Sequence, residues 1–406
     1  MRSSPCVCDF GHQRATFISP LSGSAAGVAC RCRLEYNRAA VEGSRLDPAR
    51  QQQAKGLARA GYLIALVQLL LSVAFWTVFL FTDLSSDVRD FCGGGGLQAA
   101  ALYIFVVLVW FGALVAPLAF YRGFVLSRRY GLSHQTLGSW LADFAKSGAL
   151  GLVLVVGLMV VIYWLLEAYP STWWVIASAL AVSVMMLLTT LVPVIIIPLF
   201  FKLTPLDDEA IQQRLAALAG KAGVKVRGVY VMGLSAKTSA GNAMLAGLGR
   251  TRRVVLGDTV LDRYSVEEVE AAVAHELGHH VHRDIPRMFV LQALFLVVGF
   301  YFVNLALGRV GSWPDFNGVA DVAALPVFAL VLEGLSLVLS PALNAYSRHL
   351  EAAADRYALS LTGDRKAFTG LMTKLTDQNL SDARPSRWAE VLFYDHPPYW
   401  KRVRVE

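Results

Sequence analysis

SALAVSVMMLLTTLVPVIIIPLF, residues 178–200, carries no charged side chain. A helix needs about 20 such residues to cross roughly 30 Å of hydrocarbon, so the stretch reads as a membrane span. Pro193 and Pro198 should kink or end it, and neighbouring helices must cover the carbonyls they free. The span itself is read as 172–200. Five further runs share its character, at about 61–82, 98–121, 148–168, 287–308 and 322–342. Composition agrees, since the 406-residue chain is 55% hydrophobic and only 17% charged. A soluble domain carries about 25% charged residues. Mean hydropathy is +0.49. The expected fold is a membrane all-α protein of about six transmembrane helices, with a small α+β lobe.

Loop charge sets the expected orientation. Arg45, Arg50, Lys55 and Arg59 precede the first span, whereas the next loop, DLSSDVRDF (83–91), is mostly acidic. The third segment is basic again, at Arg122, Arg128, Arg129 and Lys146. Alternation then places both termini, residues 202–286 and residues 343–406 in the cytoplasm. The net charge of +7 is read as topology and contact with membrane lipid. No nucleic-acid partner is expected, because the clustered basic surface or motif such binding needs is not found.

Residues 1–45 are expected to be a disordered tail or a mis-assigned start. They hold two C-x-C pairs, Cys6/Cys8 and Cys30/Cys32, which could be a metal knuckle but lack the usual C-x-x-C spacing. No secretory signal is recognisable there, and the low acid content only faintly resembles a transit peptide. Arginine outnumbers lysine, which points to a GC-rich genome and so to a bacterial plasma membrane. Two domains are expected beyond the tail: residues 46–205 with four spans, and residues 206–406 with two more.

Residues 202–286 are the stretch able to fold as a polar lobe. DDEAIQQRLAALAGKAG (207–223) reads as an amphipathic helix with Ile211, Leu215 and Leu218 on one face. VRGVYVMG (226–233) and RRVVLGDTVL (252–261) read as strands. The Gly- and Ala-rich 240–249 between them suits an edge strand that another backbone can approach. Ser265 and Glu268 form a capping box that opens the next helix.

That helix contains AHELGHH (274–280), in which His275 and His279 lie four apart on one face. This is the H-E-x-x-H pattern, two zinc ligands with a general base between them. A five-residue pattern also arises by chance, but the middle of a capped helix is where the chemistry needs it. A hydrolytic zinc site takes three protein ligands and leaves the fourth position to water. The third is sought in NAYSRHLEAAADRYALSL (344–361), where Glu351 and Asp355 are four apart. Ala352, Ala353 and Ala354 would let this helix approach the histidine helix. Glu351 would bind the metal, and Asp355 would accept the free ring N–H of a ligand histidine. The alternative is a solvated face paired with Arg348 and Arg356. Glu276 would take the proton of the attacking water, and the pairing suits amide cleavage. His396 in FYDHPPYW (393–400), held by Pro397 and Pro398, is the candidate for steadying the oxyanion. His280, His282 and His349 are read as facing solvent or headgroups.

At these residues the chain resembles the type I CAAX prenyl endopeptidases, integral-membrane zinc proteases of the gluzincin group. The likeness runs over about residues 46–406. SRRYGLSHQTLGSWLADFAKS (127–147) and IIIPLFFKLTPLDD (195–208) are similar to that family's membrane domain and its exit from the membrane. HELGH, SRHLEAAAD and DHPP then follow in the family's order. The resemblance implies one Zn2+ per chain on His275, His279 and Glu351, with Glu276 as base and Asp355 behind the ligands. It also implies that Asn242 and His396 hold substrate and transition state, with Asn242 capping a turn as the alternative. Its fold implies a chamber within the membrane, with the zinc site at the cytoplasmic end. The substrate would be a peptide or protein, lipidated or not. Met244, Asp395 and Lys401 depart from the family's usual residues. The rival readings are an HtpX-like quality-control protease, and a transporter or holdase without proteolysis.

Overall fold

The structure, a computed structural model, describes residues 6–10, 13–17, 45–247 and 252–405. It divides into two units, Met1–Arg45 and Leu46–Glu406. In the first, β1 (Cys6–Phe10) and β2 (Gln13–Phe17) pair antiparallel, with Cys6 opposite Phe17. The remainder of the expected tail, including Cys30 and Cys32, lies outside the described residues.

The second unit begins with α1 (Pro48–Phe81), where the Asp47 carboxylate accepts from the Ala49 N–H at 2.8 Å and Pro48 fills the first turn. Next come α2 (Leu84–Phe91), α3 (Gly96–Phe120), α4 (Leu137–Ala168) and α5 (Trp173–Leu191). Helix α3 runs on through a π-helical turn, Tyr121–Leu126, to Arg129. Helix α5 does the same through Val192–Ile196 to Phe200. Both π turns sit at or just after a proline, Pro117 and Pro193. Widening the turn absorbs the missing N–H, so Pro193 does not break the helix, and the chain leaves helical geometry soon after Pro198.

The lobe follows, as β3 (Leu203–Pro205), α6 (Glu209–Lys221), β4 (Val229–Met232), β5 (Ala243–Ala246), β6 (Arg253–Gly257) and α7 (Val266–Val281). Asp258–Leu261 is a helical turn, which corrects the strand expected to reach residue 261. The Asp258 carboxylate draws the main chain off the ladder by accepting from the Leu234 and Ser235 N–H groups, both at 2.9 Å. The chain then forms α8 (Asp284–Val310), α9 (Leu325–Thr362), α10 (Arg365–Gln378) and α11 (Arg387–Phe393).

Among the described residues, six helices are long and apolar enough to cross a membrane: Pro48–Phe81, Gly96–Arg129, Leu137–Ala168, Trp173–Phe200, Asp284–Val310 and Val322–Thr362. Their apolar core buries Tyr103, Ile104, Ile162, Trp173, Val303 and Leu307. The buried Trp173 indole satisfies its N–H on Asn304 Oδ1 at 2.8 Å. A second core lies in the lobe, where Leu215 and Leu218 of α6 meet Val229, Leu256, Val273, Leu277, Phe368 and Leu371.

The four-stranded sheet has the order β3-β4-β6-β5. Strand β4 runs parallel to β6, while β3 and β5 are antiparallel to their neighbours. Strand β5 is therefore an edge. The Gly257 N–H donates to the Asn242 carbonyl at 2.8 Å, which fixes the bonding phase of the β5–β6 ladder. Asn242, Met244 and Ala246 then bond inward, and the backbone groups of Ala243 and Leu245 point away from β6.

Candidate metal centre

Helices α7 and α9 cross where both have small residues. A Cβ on Gly278 would lie 3.1 Å from the Ala354 Cα, and Ala354 is fully buried. This close approach is what brings Glu351, one turn before Ala354, up to the histidines. The capping box on Ser265 and Glu268 starts α7 in the register that turns His275 and His279 toward α9.

His275 Nε2 and His279 Nε2 are 3.2 Å apart. Glu351 Oε2 is 3.3 Å from His275 Nε2, and Glu351 Oε1 is 3.2 Å from His279 Nε2. Tetrahedral coordination with bonds of about 2.0–2.1 Å separates donor atoms by roughly 3.3–3.4 Å. The three side chains therefore already have the spacing of a metal's ligands, and they form a group able to hold one ion.

Hydrogen bonding makes the same point. His275 Nδ1 lies 3.0 Å from Asp355 Oδ1, and His279 Nδ1 lies 2.9 Å from Asp284 Oδ2. The His279 Nδ1–H donates to Asp284, while His275 Nδ1 lies within ion-pair distance of Asp355, so each ring turns its Nε2 toward the other. Glu351 Oε2 is buried and has no hydrogen-bond partner. Two ring nitrogens and a buried carboxylate converging in this way suit a shared cation. Burial opposes a charge on His275, yet Asp355 and Glu351 push its pKa up to about 9.

Two supporting residues escaped the sequence reading. Arg402 grips Asp355 as a fork, donating from Nε at 2.8 Å and from Nη2 at 2.6 Å. Asp284 reaches His279 because Arg283, with φ of 57°, reverses the chain between α7 and α8. The only signal for Asp284 was an acid five residues after the second histidine, which sequence spacing alone does not connect to it. Asp355 is where the sequence placed it, fully buried against His275. His282 corrects its expected exposure, since it is half-buried edge-on to Tyr357 and its Nδ1 lacks a partner.

Glu276 faces the other side of the cluster. Burial raises its pKa, and the nearby Leu245 backbone on the edge strand opposes that shift. It lines a cavity of about 490 Å³ together with His275, Asn242, Ala243 and His396. His396 Nε2 is 3.2 Å from Glu351 Oε1, and Nδ1 is 2.8 Å from Asp395. Asp395 and Glu351 push the His396 pKa up to about 10. Asn242 is exposed to this cavity just before β5. All seven residues singled out in the sequence thus meet at the junction of α7, α9, β5 and the segment after α11.

Comparison with known proteins follows the same division of the chain. Residues 41–202 match the CAAX prenyl protease N-terminal domain, described as having five membrane helices. Residues 205–405 match peptidase family M48. The chain belongs to peptidase family M48. Within residues 41–202 it has four membrane-length helices and the short α2. A metalloprotease of Bacillus subtilis (strain 168), YhfN, described as uncharacterized, is 28% identical over 90% of this chain and 88% of its own. CAAX prenyl protease 1 of Saccharomyces cerevisiae is 28% identical over 71% of this chain and 67% of its own. The fold matches the crystal structure of S. mikatae Ste24p with a TM-score of 0.79, covering 94% of this chain and 96% of that one at 22% identity. The protein is an integral-membrane metallopeptidase.

Proposed function

We propose that this M48 member is a zinc endopeptidase acting on peptides at the membrane, with CAAX-type C-terminal processing as its reaction. The single observation that carries the reading is the convergence of His275, His279 and Glu351 at metal-ligand spacing, beside a cavity that Glu276 lines. When bound, zinc would polarise the scissile carbonyl and lower the pKa of a water to about 7. Glu276 takes the proton of the attacking water and returns it to the departing amine. Its raised pKa suits both steps. His396, held beside Asp395 where it lines the cavity, donates from Nε2 to the oxygen on which charge develops. Asp355, fixed by Arg402, keeps His275 in one tautomer.

Substrate binds in this reading by adding a strand to β5, where the Ala243 groups face outward and the main chain supplies affinity. Asn242 contacts a carbonyl next to the scissile bond. The domain boundary is read at residues 205/206, supported by the ranges of the two matched families. The cytoplasmic orientation rests on loop charge. The chamber within the membrane is carried over from the family.

The decisive assay uses purified protein with a prenylated and an unprenylated CAAX peptide, with and without a zinc chelator. Chelation should abolish cleavage and zinc should restore it, and the prenylated peptide should be cleaved faster. Glu276→Gln should be inactive while holding about one zinc per chain, because the base is lost and no ligand is. Cleavage that survives Glu276→Gln would contradict the reading.

A further inference from the structure

The segment leading into β5, residues 237–242, is bonded along its length by parts of the chain far away in sequence. From the loop between α3 and α4, the His134 N–H donates to the Lys237 carbonyl at 3.0 Å, and Ser133 bridges Thr238. In return Thr238 Oγ1 donates to the Leu132 carbonyl at 2.7 Å, and Ser239 Oγ to the Gly131 carbonyl at 2.8 Å. From the lobe, Asn379 accepts from the Gly241 N–H at 2.8 Å, and Thr259 Oγ1 donates to the Ala240 carbonyl at 2.8 Å. The Asn242 carbonyl is held by Gly257.

One ion pair ties this segment to the membrane helices. Lys237 Nζ lies 2.5 Å from Asp143 Oδ2 on α4, and Gln135 Nε2 donates to the same oxygen at 2.8 Å. Lys146 lies 3.0 Å from the other carboxylate oxygen. The Lys237 and Asp143 side chains are only 21% and 19% exposed, and the Phe201 ring lies 5.0 Å from the ammonium. A pair this shielded is screened less than a surface pair. Losing Asp143 leaves the Lys237 ammonium without its carboxylate, whereas losing Lys237 leaves Asp143 with Lys146 and Gln135 but frees the segment.

We infer that the Asp143–Lys237 pair is a positioning device, by which the cytoplasm-side loop of the membrane helices sets the substrate-binding edge against the metal centre. Neither residue touches the reacting atoms. Lys237 fixes where the segment starts, and Asn242 and the outward groups of Ala243 follow from it. The inference rests on the reading of β5 as the substrate edge. It explains why the 130–143 segment, remote from the histidines in sequence, makes hydrogen bonds so close to Asn242.

The test compares wild type, Lys237→Met, Asp143→Asn, the double variant and Lys237→Arg, each as zinc-loaded full-length protein, on the CAAX peptide used to establish activity. Lys237→Met and Asp143→Asn should lower kcat/KM by about 10–100-fold, because a displaced edge strand binds the substrate main chain less well. The loss should fall on KM, with kcat near wild type and zinc content unchanged, the pattern of lost substrate binding rather than lost chemistry. The double variant should be no worse than either single one, and Lys237→Arg should recover most of the loss. An unchanged KM in both single variants overturns the inference. So does a parallel fall in kcat, zinc content and Tm, which would make the pair a stabilising contact only. If the wild type cleaves no peptide, the proposed function itself fails, which separates the two outcomes.

Discussion

Glu351 Oε2 is buried without a hydrogen-bond donor, and Asp355 and Asp284 each hold one histidine Nδ1. Each acid lies within 3.0 Å of a histidine Nδ1, though only Asp355 is also gripped by Arg402. Asp355→Asn and Asp284→Asn should each weaken zinc binding or activity by about 10–100-fold, measured by chelator competition. Wild-type zinc affinity in Asp284→Asn would show that His279 needs no such partner. Acid should oppose the metal. Without metal, the His275 pKa is about 9, so below that pH the ring carries a proton that zinc must displace. Apparent affinity should therefore fall by about tenfold for each pH unit lowered, per proton displaced, in titrations between about pH 6 and 8. A flat profile would mean that His275 carries no competing proton over that range. Glu351 and Asp355 were legible in the sequence because small residues between them announced a close helix crossing. Asp284 and Arg402 were not, since the chain reversal at Arg283 and the return of residue 402 are tertiary events.

At the scale of the element, the site depends on how close α7 comes to α9. Gly278→Ala would place a Cβ 3.1 Å from the Ala354 Cα and 3.2 Å from Tyr357 Cδ1. Neither contact is with the free end of a flexible side chain, so α9 must shift by a few tenths of an ångström, and Glu351 shifts with it. Overpacking of this kind costs about 1–3 kcal/mol. Replacing a helical glycine by alanine returns about 1 kcal/mol of helix propensity. The net cost is about 0–2 kcal/mol, so Tm should fall modestly while zinc affinity and kcat fall clearly. A large drop in Tm with intact zinc affinity would place the role of Gly278 in packing alone. The β-branched residues of β4 and β6 and the capping box of α7 were readable because local patterns specify them. The helical turn at Asp258 was not, because it depends on side-chain bonds to Leu234 and Ser235, more than twenty positions away.

Across the whole molecule, the membrane helices overrun their apolar runs on one side. Hydropathy placed the first, third and sixth spans at about 61–82, 148–168 and 322–342, while the helices run Pro48–Phe81, Leu137–Ala168 and Val322–Thr362. The extra turns, 48–60, 137–147 and 343–362, are polar enough to be invisible to a search for apolar residues. Since the spans alternate in direction, all three extensions lie at the same end. That end carries the lobe, the ion pair of Asp143 with Lys237, and Glu351 on the extended part of α9. If the positive-inside rule holds here, this end is cytoplasmic and α2 is on the opposite side. Single cysteines at the exposed positions Asp87 and Gln213, in a background whose native cysteines are replaced, test this directly. Asp87→Cys should react with an impermeant thiol reagent in intact cells, and Gln213→Cys only after permeabilisation. Labelling of Gln213→Cys from outside would invert the molecule. It would leave the metal centre unchanged but place the cleavage on the far side of the membrane, where a substrate made in the cytoplasm would first have to cross.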